Sequence, residues 1–360
     1  MGCDYDRANS DNSHLSISPS TNSGNIYGGG RMVISSSNNK DNLTFDWNIK
    51  SGKFHDGILG AAEGGTQSIY LGSSQAPGSS LQYIGKRRLV IEGGEMASIA
   101  GGMNSASGTN GGNNYDNDYT TGTAKDVVTI RMRGGNARGS IYGAAAFAGA
   151  KGGRTFVITG GTVLGWIAGG ANGTHTDGGE LYGNTYIYVG GKVNVGNSSG
   201  GNHVGDIVRY QNTTNGPYYY GQNGADGGSI FGAGCGILTG TYSGSWPTGT
   251  FTANNDYQDD DYTVGRVNNS NVVIADEATI WRDVYGGGNY GYVRANGTGS
   301  VSILGGVIKG NVYGGGYGSS TNMAAGTSVS VSGGTITMCT VAAIKAPLRA
   351  TPASPSAAAQ

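Results

Sequence analysis

Acidic residues crowd the stretch "NNDYQDDDYT", which holds Asp256, Asp259, Asp260 and Asp261. Carboxylates at alternating positions are hard oxygen donors, and Ca2+ takes about six to eight such oxygens. Asp256, Asp259 and Asp261 are the set that could ligate it. "NNYDNDYT", with Asp116 and Asp118, is a fainter echo. Neither run is an EF-hand loop, because the turn glycine and the closing Glu are missing. "GADGGSIFG" touches the calcium-binding β-roll nonapeptide but does not recur. The same carboxylates could form the acid/base pair of a glycosidase, which needs a set distance across the scissile bond. Nothing in the sequence fixes that distance, and a solvated acidic loop is the plainer reading.

Other chemistry-bearing residues are sparse. "GKRRLVIEGG" clusters Lys86, Arg87 and Arg88. A uronate lyase needs such groups to neutralise a substrate carboxylate, but a charged loop entry looks the same. His14, His55, His175 and His203 show no metal-ligand spacing. Cys3, Cys235 and Cys339 are odd in number and far apart, so they give neither a disulfide framework nor a metal pair. "NGPYYYGQNG" puts Tyr218, Tyr219 and Tyr220 in a long insertion, where tyrosines bring contact area at low entropic cost. "NVYGGGYG", from Asn311, has the glycines of a phosphate loop. It lacks the Lys-Ser/Thr pair and the following helix, so a structural corner is expected.

The glycines decide the architecture. The chain has 71 of them in 360 residues, with 7 prolines, 12% charged residues and a net charge of -1. Collagen is excluded by the missing Gly-X-Y period. Disorder fits poorly with the recurring Ile, Val and Tyr. The neutral balance gives no footprint for nucleic acid. No apolar run reaches the roughly 20 residues of a membrane helix.

A pair then repeats before a glycine. Its first slot is Ile26, Ile58, Ile99, Ile141, Ile167, Ile230, Val284 and Val312. Its second is Tyr27, Leu59, Ala100, Tyr142, Ala168, Phe231, Tyr285 and Tyr313. Upstream stand β-branched runs closed by Gly-Gly: "LVIEGG", "FVITGG", "YIYVGG", "VSILGG" and "VSVSGG". Short β-branched runs bounded by glycine read as strands. Nothing shows helical periodicity with caps. Units of such length, broken by polar insertions, predict an all-β parallel β-helix solenoid with loops on its surface. Stacked at about 4.8 Å, eight or nine coils make a rod of roughly 40 Å. The second slot faces away from the Ile/Val slot. Tyr27, Tyr142, Phe231, Tyr285 and Tyr313 are thus either an exposed stripe for sugar rings or a stacked ladder between coils.

Val301 to Gly316, "VSILGGVIKGNVYGGG", resembles the repeats of large bacterial adhesin-like surface proteins. The resemblance spans roughly residues 25–336. It implies a right-handed parallel β-helix, secretion or display on a bacterial cell surface, and glycan or surface-protein partners.

The sequence divides into a polar segment or cap at 1–24, a solenoid at 25–338 and an Ala/Pro/Ser-rich tail at 339–360. The start has no signal peptide, and a fragment of a longer array is expected. The expected function is a secreted or surface solenoid that is structural and adhesive, binds glycan or protein through its loops, and has no resident cofactor unless the acidic loop takes Ca2+. The alternative is a β-helix polysaccharide lyase or glycoside hydrolase. Membrane insertion and nucleic-acid binding are not expected.

Overall fold

The computed structural model describes residues 12–17, 26–27, 44–51, 53–54, 69–70, 86–96, 98–101, 128–144, 150–171, 181–197, 211–213, 216–220, 227–235, 237–243, 250–253, 265–289, 291, 293–294, 296–317 and 326–340. Among the described residues the regular elements are all strands. They form a parallel β-helix, with three strands per coil and three sheets around one core.

The first sheet stacks Asn12–Ile17, Thr44–Ile49, Lys86–Ile91, Val128–Ala137, Arg154–Val163, Asn184–Val195, Asn269–Ile274, Gly299–Ile303 and Thr327–Val331 in chain order, each parallel to the next. These define coils one to nine. A shorter second sheet follows the glycine corner and stacks Phe54, Met96, Ala137, Val163, Val195, Ile280, Ile308 and Ile336. The third sheet stacks Ile26, Ile69, Ile99, Ile141, Ile167, Ile230, Val284, Val312 and Cys339.

The register follows from the two-residue period of a strand. Within the first sheet Leu89, Ile130, Phe156, Ile187, Val272 and Val301 form one buried column, and Ile91, Met132, Ile158, Val189, Ile274 and Ile303 the next. They meet the inward residues of the other two sheets in a single apolar core. A one-residue slip would carry a whole strand's apolar set to the solvent face. Each fully buried side chain contributes about 1.5–3 kcal/mol. β-Branched residues suit such half-buried pleated strands.

Two glycine positions make the coil possible. At the corner between the first and second sheets the chain needs positive φ, supplied by Gly94 (92°), Gly135 (83°), Gly161 (89°), Gly306 (85°) and Gly334 (85°). In coil seven Asp276 takes this role at φ 55°. Aspartate is one of the few side chains that enter this region at modest cost. The second position is the glycine after the third strand. The amides of Gly101, Gly143, Gly169, Gly232 and Gly286 donate to Tyr142, Ala168, Phe231, Tyr285 and Tyr313 of the next coil at 2.7–3.0 Å. A methyl group on any of these glycines would overlap the carbonyl oxygen of the glycine stacked on it: Gly143, Gly169, Gly232, Gly286 and Gly314 in turn. Several of the carbonyls are satisfied from the first sheet. Arg154 donates to Gly143, Thr185 to Gly232 and Ser270 to Gly286.

The structure departs from the sequence expectations in three places. Coil two seats Ile69–Tyr70 in the third sheet, in register with Ile26 and Ile99; the expected pair, Ile58 and Leu59, lies outside the described residues. The Ile69–Tyr70 pair lies inside a run expected to be a polar insertion. Asn12–Ile17, within the segment expected to be polar or a cap, is a strand of the first sheet, paired with Thr44–Ile49. At the other end the ladder runs on through Thr335–Thr340, where Cys339 and Thr340 take the places of Val312 and Tyr313. The rest of the tail lies outside the described residues.

Replacing Gly232 with Ala should cost at least about 2 kcal/mol, because the Gly286 carbonyl it would meet belongs to the stacked backbone and is held by the Ser270 hydroxyl. Ser330→Ala, on an exposed outward position, should change stability by less than about 0.5 kcal/mol. Urea unfolding followed by far-UV circular dichroism gives both numbers, and equal effects would refute the stacking constraint.

Candidate functional site

The aromatic slots of the third sheet lie opposite the main core, as their parity requires, but they are not on the surface. Tyr142, Phe231, Tyr285 and Tyr313 are only 3–7% exposed and form a second apolar cluster with Trp166, Cys235 and the partly buried Tyr317. Phe231 stacks on Tyr285 at 5.0 Å, and Tyr285 on Tyr313 at 4.9 Å. Coil five carries Ala168 in this slot; there Trp166, two residues earlier, packs edge-on against Phe231 at 5.9 Å. Each such pair contributes about 0.5–1.5 kcal/mol beyond area burial. The exposed sugar-binding stripe is therefore corrected to a buried one at these four residues, with Phe231, Tyr285 and Tyr313 in a stacked ladder. Cys235 and Tyr317, just past the glycine corner of coils six and eight, pack into this cluster, so the outer side of the third sheet is an interior there. Tyr27 is placed by its backbone, paired with Tyr70; its side chain is outside the described residues.

Asp283 holds the middle ring of this ladder. Its Oδ1 accepts from the amide of Asn311 at 2.7 Å and its Oδ2 from the hydroxyl of Tyr285 at 3.0 Å. Ser98 and Ser140 do the same job in earlier coils, capping the amides of Ser140 and Trp166. Burial first, and then the Asp283 charge and hydrogen bond, push the Tyr285 phenol far above its ordinary range.

The remaining sequence candidates separate. Tyr218, Tyr219 and Tyr220 lie in Gly216–Tyr220, a strand of a small antiparallel sheet between Gln211–Thr213 and Ile237–Ser243, inserted in the long excursion of coil six. Their side chains are outside the described residues. So are Asp256, Asp259, Asp260 and Asp261 altogether, with Asp116 and Asp118. Of the basic cluster, Arg88 is exposed on the first sheet and stands opposite Asp46.

The outward face of the first sheet carries functional groups at coil spacing. In coils four, five and six, Thr129, Thr155 and Tyr186 form one outward column, and Arg131, Val157 and Tyr188 the next. Arg131 is exposed, and Tyr186 is 38% exposed, one of the few large apolar side chains so open among the described residues. Coils seven and eight continue the columns with Asn271 and Ser300, and with Val273 and Ser302. Charges sit along the glycine-corner edge. There Arg133 faces Glu92 at 3.9 Å, Arg138 holds Glu95 at 2.8 Å, and Lys192 faces Glu277 at 3.8 Å. Asp276 turns back onto coil six, accepting from the Gly191 amide at 2.9 Å and the Tyr188 hydroxyl at 3.0 Å. Local burial and this bond raise the Tyr188 phenol above its ordinary value. The sequence signal for this face is the alternation Tyr186-Ile187-Tyr188 in "NTYIYVGG", which puts both phenols outward and the Ile inward.

No protein-family model, no curated protein and no solved structure matches the chain.

Two outcomes follow. The folded protein binds the Tyr285 proton more tightly than the unfolded chain, whose tyrosines titrate near pH 10. Stability is thus unaffected by this group below about pH 10 and falls as pH rises beyond it. Tyr285→Phe keeps the ring stack and should flatten that alkaline loss, read from urea midpoints across the alkaline range. At the corner, Asp276→Gly should be milder than Asp276→Ala by about 1 kcal/mol, since alanine gains no relief at positive φ. Thermal melts of the two variants compare them directly, and the reverse order would remove the conformational explanation.

Proposed function

We propose that the protein is a binding solenoid, secreted or displayed on a bacterial cell surface, that holds glycan or protein on its outer face and loops and does no chemistry on what it holds. The observation that carries this reading is the outward face of the first sheet. It repeats hydroxyl, amide and phenol groups at the coil spacing of about 4.8 Å on a stiff, flat support. A regular array of weak polar contacts suits an extended polymer, where many sites together give avidity that no single contact has. The described carboxylates also have structural duties: Glu92, Glu95 and Glu277 face cations, and Asp276 and Asp283 cap backbone amides. Location and partner class rest on the resemblance of the VSILGGVIKGNVYGGG repeat to adhesin-like surface proteins.

Incubation of the purified chain with a panel of plant, microbial and host polysaccharides, with and without Ca2+, tests it. New reducing ends and unsaturated uronates should stay at background, while immobilised glycans or cell-surface proteins retain the protein saturably. Product release that disappears in the Asp259→Asn, Asp261→Asn double variant would make the acidic loop catalytic and overturn the reading. Failure to be retained on any glycan or protein surface would overturn it equally.

A further inference from the structure

We infer that the six-residue patch Thr129, Arg131, Thr155, Val157, Tyr186 and Tyr188 is a subsite for an acidic polysaccharide, one that carries uronic-acid carboxylates. This deepens the binding-solenoid reading and rests on it. The patch is contiguous. Thr155 is in register with Thr129 on one side and Tyr186 on the other, and Val157 likewise lies between Arg131 and Tyr188. Two columns of three residues therefore span two strand spacings, about 10 Å.

Its composition changes along the solenoid axis in an order that suits one ligand. At the coil-four end Arg131 is exposed, and Arg133 lies two residues along the same strand, also exposed and only loosely facing Glu92 at 3.9 Å. A carboxylate here would meet a planar guanidinium able to bind it through two parallel hydrogen bonds. In the middle Val157 gives an apolar floor, with the Thr155 hydroxyl beside it. At the coil-six end the Tyr186 side chain is exposed to solvent. Tyr188 is fixed by its bond to Asp276 and so presents a set position rather than a mobile one. Sugars have apolar C–H faces and polar hydroxyl rims, and aromatic rings next to hydroxyl groups complement both.

Charge complementarity favours an acidic chain over a neutral one. Among the described residues the carboxylates along the glycine corner each face a partner: Glu92 faces Arg133, Glu277 faces Lys192, and Asp276 accepts from Gly191 and Tyr188. All three lie at the glycine corner, along one edge of the strip. An acidic peptide fits less well. Peptides gain affinity by adding to a strand edge, and each first-sheet strand of coils four to six already pairs on both sides. Recognition on this face must come from side chains.

Affinity electrophoresis of the full chain tests the assignment, with gels containing polygalacturonate, dextran or polyglutamate. Polygalacturonate should retard the protein, and dextran and polyglutamate should do so little. The retardation should weaken as salt screens the exposed charge. Arg131→Gln should raise the apparent Kd about tenfold, as expected for one lost charge-assisted contact. Tyr186→Ala should do so by a similar factor, and Tyr186→Phe should retain most of the binding. The positions are on the surface, and circular dichroism confirms that each variant keeps the fold. Retention by polygalacturonate that neither variant changes would place the binding elsewhere and overturn the subsite while leaving the binding solenoid intact. Equal retardation by polyglutamate, or stronger retardation by dextran, would overturn the acidic-sugar specificity. No retardation by any polymer would overturn the subsite too, and retention on protein surfaces would then show whether the wider reading survives.

Discussion

Everything in this molecule depends on how closely its coils approach at the corner after the third strand. There the backbone of one coil lies against the backbone of the next, with a glycine carbonyl occupying the space where a Cβ would project. The same glycine donates its amide to the following coil. One position thus carries a ladder bond and a steric demand together, and only glycine meets both. The high glycine content follows directly, and so does the low charge. Side chains that in a globular protein would clothe the surface are replaced at each corner by bare backbone. The cost is flexibility in the unfolded chain, since each glycine loses more backbone freedom on folding than other residues do. It is offset by stacked apolar columns that run unbroken through the core and by carbonyls satisfied from Arg154, Thr185 and Ser270.

Much of this was legible in the sequence, because the two periodicities involved are local. Alternation in "FVITGG" and "VSILGG" assigns the strands, and the Gly-Gly assigns the corner. The pair Ile/Val-aromatic then marks the third strand. What failed was a choice between two local matches. "GILG" reads as the third strand of coil two, whereas "SIYLG", which carries the same Ile-aromatic pair, reads as part of a polar insertion. The selection of Ile69–Tyr70 is made by pairing with Ile26 and Ile99, and pairing is not a local property. The strands at the two ends depend on pairing in the same way. "NSHLSI" and "TITMCT" look unlike the consensus but keep its alternation, and a neighbouring coil supplies the template.

The candidate site was less legible, through one geometric assumption. In a simple sheet the side opposite the core is solvent. In the third sheet of this solenoid it is a second interior, where Cys235 and Tyr317 pack in and Tyr142, Phe231, Tyr285 and Tyr313 are buried. In the first sheet the outer side is open, so Tyr186 is exposed although its parity relation to the core is the same. Residue type could not distinguish these tyrosines; the path of the chain after each strand does. Asp276 shows the same effect. From sequence it is a break in the Gly-Gly pattern, whereas in the structure it fills the positive-φ corner and fixes Tyr188 of the preceding coil.

The two sets of aromatic residues are also connected mechanically. The third-sheet ladder of Phe231, Tyr285 and Tyr313 joins coils six, seven and eight at ring distances of 4.9–5.0 Å. Those coils carry Tyr186, Asn271 and Ser300 on the outer face of the first sheet. A flat ligand face needs its columns held at constant spacing, because a polymer that contacts several coils loses avidity when they drift apart. The buried rings fix that spacing on one side of the coil, and the Asp276 bond to coil six fixes it on the other. Tyrosine buried in the ladder and tyrosine exposed on the face therefore serve one arrangement. The first sets the distance between coils, and in the proposed reading the second would use that distance to meet a ligand.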